Sequence, residues 1–172
     1  MTGKILTLAI VICALVAGVA MYYLQVYAYY YDVEETGQDV ALTSVVTGQP
    51  EFISTRDFVA IDADSSPIRF RACFQTDDSM GLLSETYEVF DDAEPLLAPK
   101  WFDCFDAPAI GNDLETGAAV AFMGARNFEY GIDRVVAIYP DGRGFMWHQI
   151  NDCGDKNYDG SPVDPTCPER DQ

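Results

Sequence analysis

The chain has 172 residues, and its 28 Asp and Glu residues outnumber its 10 Lys and Arg residues, which gives a formal net charge of −18. This charge excludes a nucleic-acid-binding protein, because an acidic surface repels phosphate backbones and anionic lipids. It favours cations and basic proteins as partners, although a need for solubility alone would also explain it.

An uncharged apolar stretch at residues 5–31 lies beside the N-terminus and ends in a cluster of six tyrosines. As a helix it would be roughly 40 Å long, enough to cross a hydrocarbon core of about 30 Å. Tyrosine is enriched where a membrane helix reaches the headgroups. The sequence therefore predicts a cytoplasmic segment at residues 1–4 and a transmembrane helix at 5–31, in contact with a lipid bilayer.

Charges on the two sides of this stretch predict its orientation. Lys4 precedes it, whereas Asp32, Glu34 and Glu35 follow it, and the cationic end of a membrane segment normally stays in the cytoplasm. We therefore expect a single-pass protein of a bacterial inner membrane with its C-terminal domain in the periplasm. A cleaved signal peptide ending near residues 18–20 is the alternative, but the apolar run continues beyond them, which favours a retained anchor.

Small and bulky side chains separate to opposite halves of the predicted helix, at about 100° per residue. Ala14, Ala17 and Gly18 lie in the small half, together with Cys13 and Ala20. Small residues let helices approach closely in lipid, so this half is predicted to pack against a partner helix. The alternative is that alanine and glycine are simply common in membrane helices.

The remainder of the chain is the length of one ordinary domain. We expect an acidic stalk and first strand at residues 32–45, an α+β domain at 46–152 and a disulfide-stapled acidic tail at 153–172. The predicted fold class is α+β: one N-terminal transmembrane helix followed by a small periplasmic domain with an antiparallel sheet and one or two short helices.

Hydrophobic patterns place the elements of this domain. Strands are expected at residues 40–46, 56–62, 68–74 and 118–123, and helices at 79–90 and 110–115. In the third strand, Ile68, Phe70 and Ala72 alternate with Arg69 and Arg71, which predicts one buried and one solvated face.

The clearest local element is a hairpin with apolar-rich strands at residues 135–139 and 144–150. Pro140, Asp141 and Gly142 lie between them, and such a run is typical of a turn in which glycine accepts a positive φ. The aromatic clusters at 101–102 and 145–147 are interpreted as core, with an exposed patch for a partner as the alternative.

Four cysteines lie in the predicted periplasmic domain, and an even number in an oxidising compartment implies two disulfides. We favour Cys73 with Cys104, since both lie among aromatics and look buried, and Cys153 with Cys167, since they bracket one short polar loop. The other two pairings remain open. A zinc site is disfavoured, because there is no CxxC pair and His148 is the one histidine.

A D-x-N-x-D-G run at residues 155–160 matches the opening of a calcium loop, in which alternating oxygen ligands converge on the ion. Asp155, Asn157 and Asp159 are therefore candidate calcium ligands. Thr166 stands where such loops close with glutamate, and Asp164 lies just before it. A solvated acidic loop is the alternative, and no other cofactor is expected.

The sequence contains no evident catalytic constellation, so we expect a protein that is not an enzyme. His148 has no recognisable nucleophile partner, and a lone histidine on a strand is usually structural. The G-x-S-x-G run of serine hydrolases is absent, as are phosphate-binding glycine loops.

Three segments carry a resemblance to a known family: residues 1–6, residues 21–27 at the end of the apolar stretch, and the hairpin at 135–147. Together they resemble a family of uncharacterised alphaproteobacterial proteins that consist of a domain of unknown function behind one N-terminal span. The resemblance covers essentially the whole chain. It implies a Gram-negative inner membrane and a periplasmic domain, and it implies no activity.

Two functions of different kinds follow from these features. The first is an accessory or assembly subunit of a larger inner-membrane complex, respiratory or photosynthetic, whose acidic domain would steer a basic periplasmic protein such as a c-type cytochrome. The second is a free-standing periplasmic module that binds a cation or an envelope partner. A periplasmic hydrolase is a less favoured third reading.

Overall fold

A computed structural model describes residues 2–161 and residue 167. The chain begins with helix α1, Thr2–Tyr23, which continues as a π-helical turn over Leu24–Ala28. Within the described residues, one helix is long and apolar enough to cross a membrane: Gly3–Ala28, whose most apolar stretch is not buried in the protein. The helical segment begins before the predicted limits of 5–31 and also ends before them, because Tyr31 already belongs to a strand.

An antiparallel sheet of six strands forms the centre of the domain, in the order β1-β4-β5-β8-β7-β6. A separate pair, β2 and β3, is also antiparallel. The strands are β1 Tyr31–Val33, β2 Ala41–Thr43, β3 Pro50–Phe52, β4 Arg56–Asp62, β5 Arg71–Gln75, β6 Val120–Glu129, β7 Ile132–Ile138 and β8 Arg143–Ile150.

The segment at residues 87–90 connects the two sheets. Tyr87 bridges Ser44 next to β2, and Val89 bridges Phe122 in β6. Backbone bonds from Phe90 N to Ala121 O and from Met123 N to Glu88 O extend this pairing. The strands therefore curl around one side of the domain instead of forming two independent layers.

Two short helices complete the domain, α2 at Met80–Thr86 and α3 at Ala107–Glu115. Ser79 caps α2 by accepting a hydrogen bond from Leu82 N, and Asp106 caps α3 by accepting one from Ala109 N. Both caps satisfy backbone donors that have no partner inside a helix. The α+β class is confirmed, although α2 ends earlier than the predicted 79–90 because Tyr87 turns into the sheet.

Each face of the six-stranded sheet packs against its own hydrophobic core. The first core lies under β2 and α2 and contains Val40, Leu42, Ile53, Phe58, Ala60, Phe70, Ala72, Phe74, Leu83, Phe122, Val136, Ile138 and Met146. The second lies under α3 and the preceding loop and contains Cys73, Phe105, Ala107, Ile110, Ala119, Ala121, Val135, Ala137, Tyr139, Phe145 and Trp147.

The predicted hairpin at 135–150 is confirmed as β7 and β8. Tyr139 N donates to Arg143 O and Gly142 N donates to Tyr139 O, which closes the turn. Gly142 has a φ of +88°, a conformation that side chains with a Cβ rarely adopt. Strands β4 and β5 also pair antiparallel as neighbours along the chain.

Three expectations about the strands and the stalk differ from the structure. The stalk does not begin as a free linker, because Tyr31, Asp32 and Val33 pair with β4 at the edge of the sheet. The strand expected at 40–46 is shorter, since the chain turns after Thr43. The face of β5 that carries Arg71 is not solvated, because this side chain is buried with only 3% exposed.

Candidate functional site

The C-terminal end of the membrane helix is bound directly to the domain. Trp101 Nε1 donates a 2.7 Å hydrogen bond to the carbonyl of Val26. The indole ring stacks on Tyr27 at 6.4 Å between ring centroids and meets Tyr30 edge-on at 5.7 Å. The Val26 carbonyl lies in the last helical turn, where backbone acceptors have no partner inside the helix, so the loop that carries Trp101 completes the end of the helix.

Arg69 makes a second connection between helix and domain. Its Nη2 donates to Gln25 Oε1 at 2.9 Å, and its guanidinium carbon lies 5.5 Å from the centroid of the Tyr30 ring. With Trp101, this arginine fixes the domain against the final turn of the helix. Neither contact is evident from the sequence, because Arg69 and Trp101 are far from residues 25–30 along the chain.

Two arginines near this junction have no carboxylate partner within ion-pair distance in the part of the chain that the structure describes. The ion pairs found among the described residues involve Arg56, Arg126 and Arg143. Arg69, by contrast, lies against Tyr30, and Arg71 donates to the carbonyls of Ile68 and Phe70 on either side of Arg69. Two arginines without an ion pair to a described residue therefore lie close to the end of the helix.

An apolar groove runs along the domain between residues 89–97 and helix α3, with the start of β6 beneath it. Its cavity measures about 590 Å³, within the range of roughly 300–1,000 Å³ that is usual for ligand sites. Leu97 and Val89 border it and are 75% and 46% exposed. Cavity size and exposed apolar borders make this groove the second candidate site.

One wall of the groove is held by the buried Arg71. Its Nε donates to Leu96 O at 2.7 Å and its Nη2 to Leu97 O at 3.1 Å. Its Nη1 donates to Ile68 O and Phe70 O. Burial lowers the pKa of Arg71 to about 10, because charge is disfavoured away from water. The loop at residues 96–97 thus depends on a cation beneath it.

Gln149 holds the same wall further along. Its Nε2 donates to Asp92 O at 2.9 Å, and its Oε1 accepts from Glu94 N at 2.9 Å and from Trp147 Nε1 at 3.1 Å. Gln149 is 8% exposed, so its amide is fully engaged below the loop. A segment without regular secondary structure is thereby held in one position.

The opposite wall, α3, is fixed to the hairpin and to β5. Tyr139 donates from its hydroxyl to Asp113 Oδ2 at 2.8 Å. Burial, and next the bond to Asp113, raises the pKa of Tyr139 to about 12. The disulfide between Cys73 and Cys104 joins β5 to the loop before α3.

His148 is a structural residue in this fold. Its Nδ1 lies 2.8 Å from Pro67 O, and its Nε2 accepts from Arg134 Nε at 3.0 Å. The ring lies between Phe70 and Phe128 at centroid distances of 4.7 and 4.9 Å. Burial, which is the largest cause, and the nearby charge of Arg134 lower the pKa of His148 to about 4. Both nitrogens are occupied, so neither is free to take a proton from a substrate.

The candidate calcium residues belong to a tight polar loop. Asp159 Oδ1 accepts from the backbone N of Ser161 at 3.0 Å and from its hydroxyl at 2.6 Å, and Asn157 N donates to Ser161 O. In the described part of the chain, no group of three or more His, Cys, Asp or Glu side chains is arranged to hold a metal. Asp164 and Thr166 lie outside the described residues.

The cysteines pair as Cys73 with Cys104 and Cys153 with Cys167, and Cys13 is free. Cys104 is exposed, contrary to the expectation that both cysteines of its pair are buried, because it leaves the core just before Phe105.

The predicted helix-packing residues Ala14, Ala17 and Gly18 are all exposed on α1. A Cβ added to Gly18 would meet no atom within 4 Å. None of the three belongs to the helix–domain junction or lines the groove.

Comparison with known proteins gives a match to a protein family. The model of a protein family described as "Family of unknown function (DUF6446)" matches residues 40–168. The match covers the domain from the first buried residues before β2 to the second disulfide. No curated protein and no solved structure matches the chain.

Proposed function

Because the chain belongs to DUF6446, a family of unknown function, we propose its role from geometry: it is a non-catalytic accessory or assembly subunit of a larger inner-membrane complex. Helix α1 anchors it in the bilayer, and its acidic domain sits on the periplasmic face. The partner is an integral membrane assembly, respiratory or photosynthetic, that contacts both the helix and the domain.

The observation that carries this proposal is the bond from Trp101 Nε1 to Val26 O, supported by Arg69 on Gln25. A tethered module that searches for ligands gains reach from a flexible linker. Here the helix is followed after two residues by β1, and the domain holds the end of the helix. This arrangement favours one height and one orientation of the domain relative to the bilayer. A subunit needs such a fixed orientation so that its helix and its domain can contact a neighbouring membrane protein at the same time.

Charge and cysteine chemistry support the periplasmic side. Lys4 precedes the span, whereas Asp32, Glu34 and Glu35 follow it, and the positive-inside rule then puts the domain outside the cytoplasm. Two disulfides also favour an oxidising compartment. The net charge of −18 would attract basic periplasmic proteins, such as a c-type cytochrome, to the assembly.

Topology is tested by fusing alkaline phosphatase, or a fluorescent reporter that folds only in the cytoplasm, to the C-terminus. We expect phosphatase activity without fluorescence. Fluorescence without phosphatase activity would reverse the orientation. A mature chain that starts near Met21 would show that the helix is removed instead of retained.

The complex is tested by mild detergent extraction from the native membrane, followed by sizing and identification of stoichiometric co-purifying proteins. We expect the wild type in a large complex and a several-fold loss of that complex with Trp101→Ala. Trp101→Phe serves as the control that keeps an aromatic ring beside Tyr27 but loses the hydrogen bond, and it should lie between the two.

The helix face is tested in the same assay. Gly18→Leu adds bulk to the small half of α1 and should weaken the association, because close helix packing in lipid needs small residues. Val16→Leu, on the bulky half, should matter little. A wild type that remains a lone monomer after cross-linking in the membrane would refute the subunit and favour the free-standing binding module.

A further inference from the structure

We propose that the groove between residues 89–97 and α3 binds a partner segment that has an apolar centre and lysine or arginine at its ends. This inference rests on the proposed subunit role and names the chemistry of the contact. The occupant is a stretch of polypeptide from the partner complex.

Several small residues line the groove, together with larger ones such as Phe90 and Leu114. Ala93, Gly111, Ala119 and Ala121 line it, and a Cβ built on Gly111 would find only Pro95 Cδ, at 4.0 Å. Small side chains leave room for the backbone of another chain to come close. The cavity of about 590 Å³ is therefore an open trough and not a gap between imperfectly packed side chains.

Both walls are in place before anything binds. Arg71 and Gln149 hold the loop from below through its backbone, and Tyr139 holds α3 through Asp113. Burying the guanidinium of Arg71 without a carboxylate is costly. A preformed site spares a ligand the free energy of ordering the loop.

Charge around the groove selects the occupant. Asp91, Glu94 and Glu115 line it, and no lysine or arginine among the described residues does. Carboxylates around an apolar trough attract cationic ends to an apolar segment and repel anionic ones. They also disfavour an anionic lipid and a second copy of this acidic chain. Leu97 and Val89, both well exposed, supply the apolar contacts at the edges.

The test uses the full chain in detergent and two fluorescein-labelled peptides, measured by fluorescence anisotropy. One peptide has a centre of Leu, Val and Ala with lysines at both ends, and the other has the same centre with glutamates. We expect saturable binding of the lysine peptide and at least tenfold weaker binding of the glutamate peptide. Wild-type protein without saturable lysine-peptide binding would overturn the groove site.

Variants separate the groove from general attraction to an acidic protein. Gly111→Leu fills the trough and should weaken the lysine peptide at least tenfold, whereas Gly81→Leu on α2, where the added side chain also meets open space, should leave binding unchanged. Should Gly111→Leu fail to fold, the double variant Glu94→Lys with Glu115→Lys on the rim of the groove should also weaken binding of the lysine peptide. The double variant Glu34→Lys with Glu35→Lys, which changes the net charge equally, is its control.

Equal loss in the rim variant and its control would mean that net charge alone attracts the peptide, and the proposal would fall. If the peptide does not bind but the native complex is still recovered, the groove is refuted while the subunit role stands. If the peptide binds and no complex is recovered, the subunit role is refuted instead.

Discussion

At the scale of single residues, Arg71 is the clearest departure from ordinary burial. A guanidinium with 3% exposure normally faces a carboxylate, yet Arg71 contacts four backbone carbonyls. These carbonyls belong to residues 68–70 and 96–97, which have no ladder partners there. The side chain therefore stabilises a loop that cannot satisfy its own backbone.

Replacing Arg71 should consequently be costly. Arg71→Ala leaves the carbonyls unpaired and should lower the free energy of unfolding by about 3 kcal/mol. Arg71→Lys retains the charge but loses the planar guanidinium with its several donors. It should lower the free energy of unfolding by about 2 kcal/mol. Urea unfolding of the full chain in detergent measures both, with the exposed Arg56→Ala as a control that should change little. Equal effects at Arg56 and Arg71 would contradict the role of the carbonyl contacts.

His148 predicts how stability depends on pH. The unfolded chain protonates this ring near its ordinary pKa of 6.5, whereas the folded protein does so only near 4. Between these pH values the unfolded state binds more protons. The stabilisation that neutral His148 gives the folded state is therefore complete above about pH 6.5 and is lost as the pH falls towards 4. The loss should reach about 3 kcal/mol.

The comparison with His148→Gln isolates this effect. Burial raises the pKa of the neighbouring Asp62 in the folded state, which acts in the opposite direction at low pH, but both proteins share it. The difference between the wild-type and variant free energies of unfolding, measured from pH 7 to pH 4, should therefore shrink as the pH falls. A constant difference would show that His148 protonates equally easily in both states.

At the scale of elements, glycine has opposite effects in β8 and in α2. Gly144 pairs with Phe74 across the sheet, and a Cβ on Gly144 would overlap the Phe74 ring. Gly81 lies in α2, and a Cβ there would meet nothing within 4 Å. The same substitution therefore tests packing at one site and backbone entropy at the other.

Gly144→Ala should lower the free energy of unfolding by about 1–3 kcal/mol, because the ring of Phe74 must leave its place in the first core. Gly81→Ala should raise it by about 0.5–1 kcal/mol, because alanine restricts the unfolded chain and favours a helix. Thermal melts followed by circular dichroism measure both. Shifts of the same sign would refute this account of the two glycines.

At the scale of the whole molecule, the net charge of −18 works against a compact fold. Raising the salt concentration from 0.01 M to 0.1 M shortens the screening length from about 30 Å to about 10 Å. We expect the melting temperature to rise by a few degrees as the repulsion weakens. A melting temperature that falls with NaCl would show that favourable surface ion pairs outweigh the repulsion.

Calcium at matched ionic strength tests the loop at residues 155–160 in the same experiment. We expect little shift beyond that of NaCl, because Asp159 Oδ1 already accepts two bonds from Ser161. An additional rise that disappears with Asp155→Ala and Asp159→Ala would instead establish a calcium site in this loop.

Features set by neighbouring residues were predictable from the sequence. An apolar run without charge forms a helix long enough for a membrane, whatever the rest of the chain does. Pro140, Asp141 and Gly142 bend the chain into the hairpin of β7 and β8 through their own φ preferences. The α+β class follows from such local patterns. Aromatic neighbours favoured Cys73 with Cys104, and the short polar loop between them favoured Cys153 with Cys167.

Features set by contacts between distant segments were decided by the tertiary structure alone. The sequence pattern around Tyr31 is typical of the end of a membrane helix, but pairing with Asp62 makes Tyr31 the start of a strand. The aromatic neighbours of Trp101 are typical of a core, but its indole N–H donates a hydrogen bond to the helix carbonyl of Val26. Arg71 alternated like a solvent-facing residue and is buried, because the loop at 96–97 needs its donors. Sequence patterns encode each segment's own preferences, whereas the junction and the groove exist only where separate segments satisfy one another's hydrogen bonds.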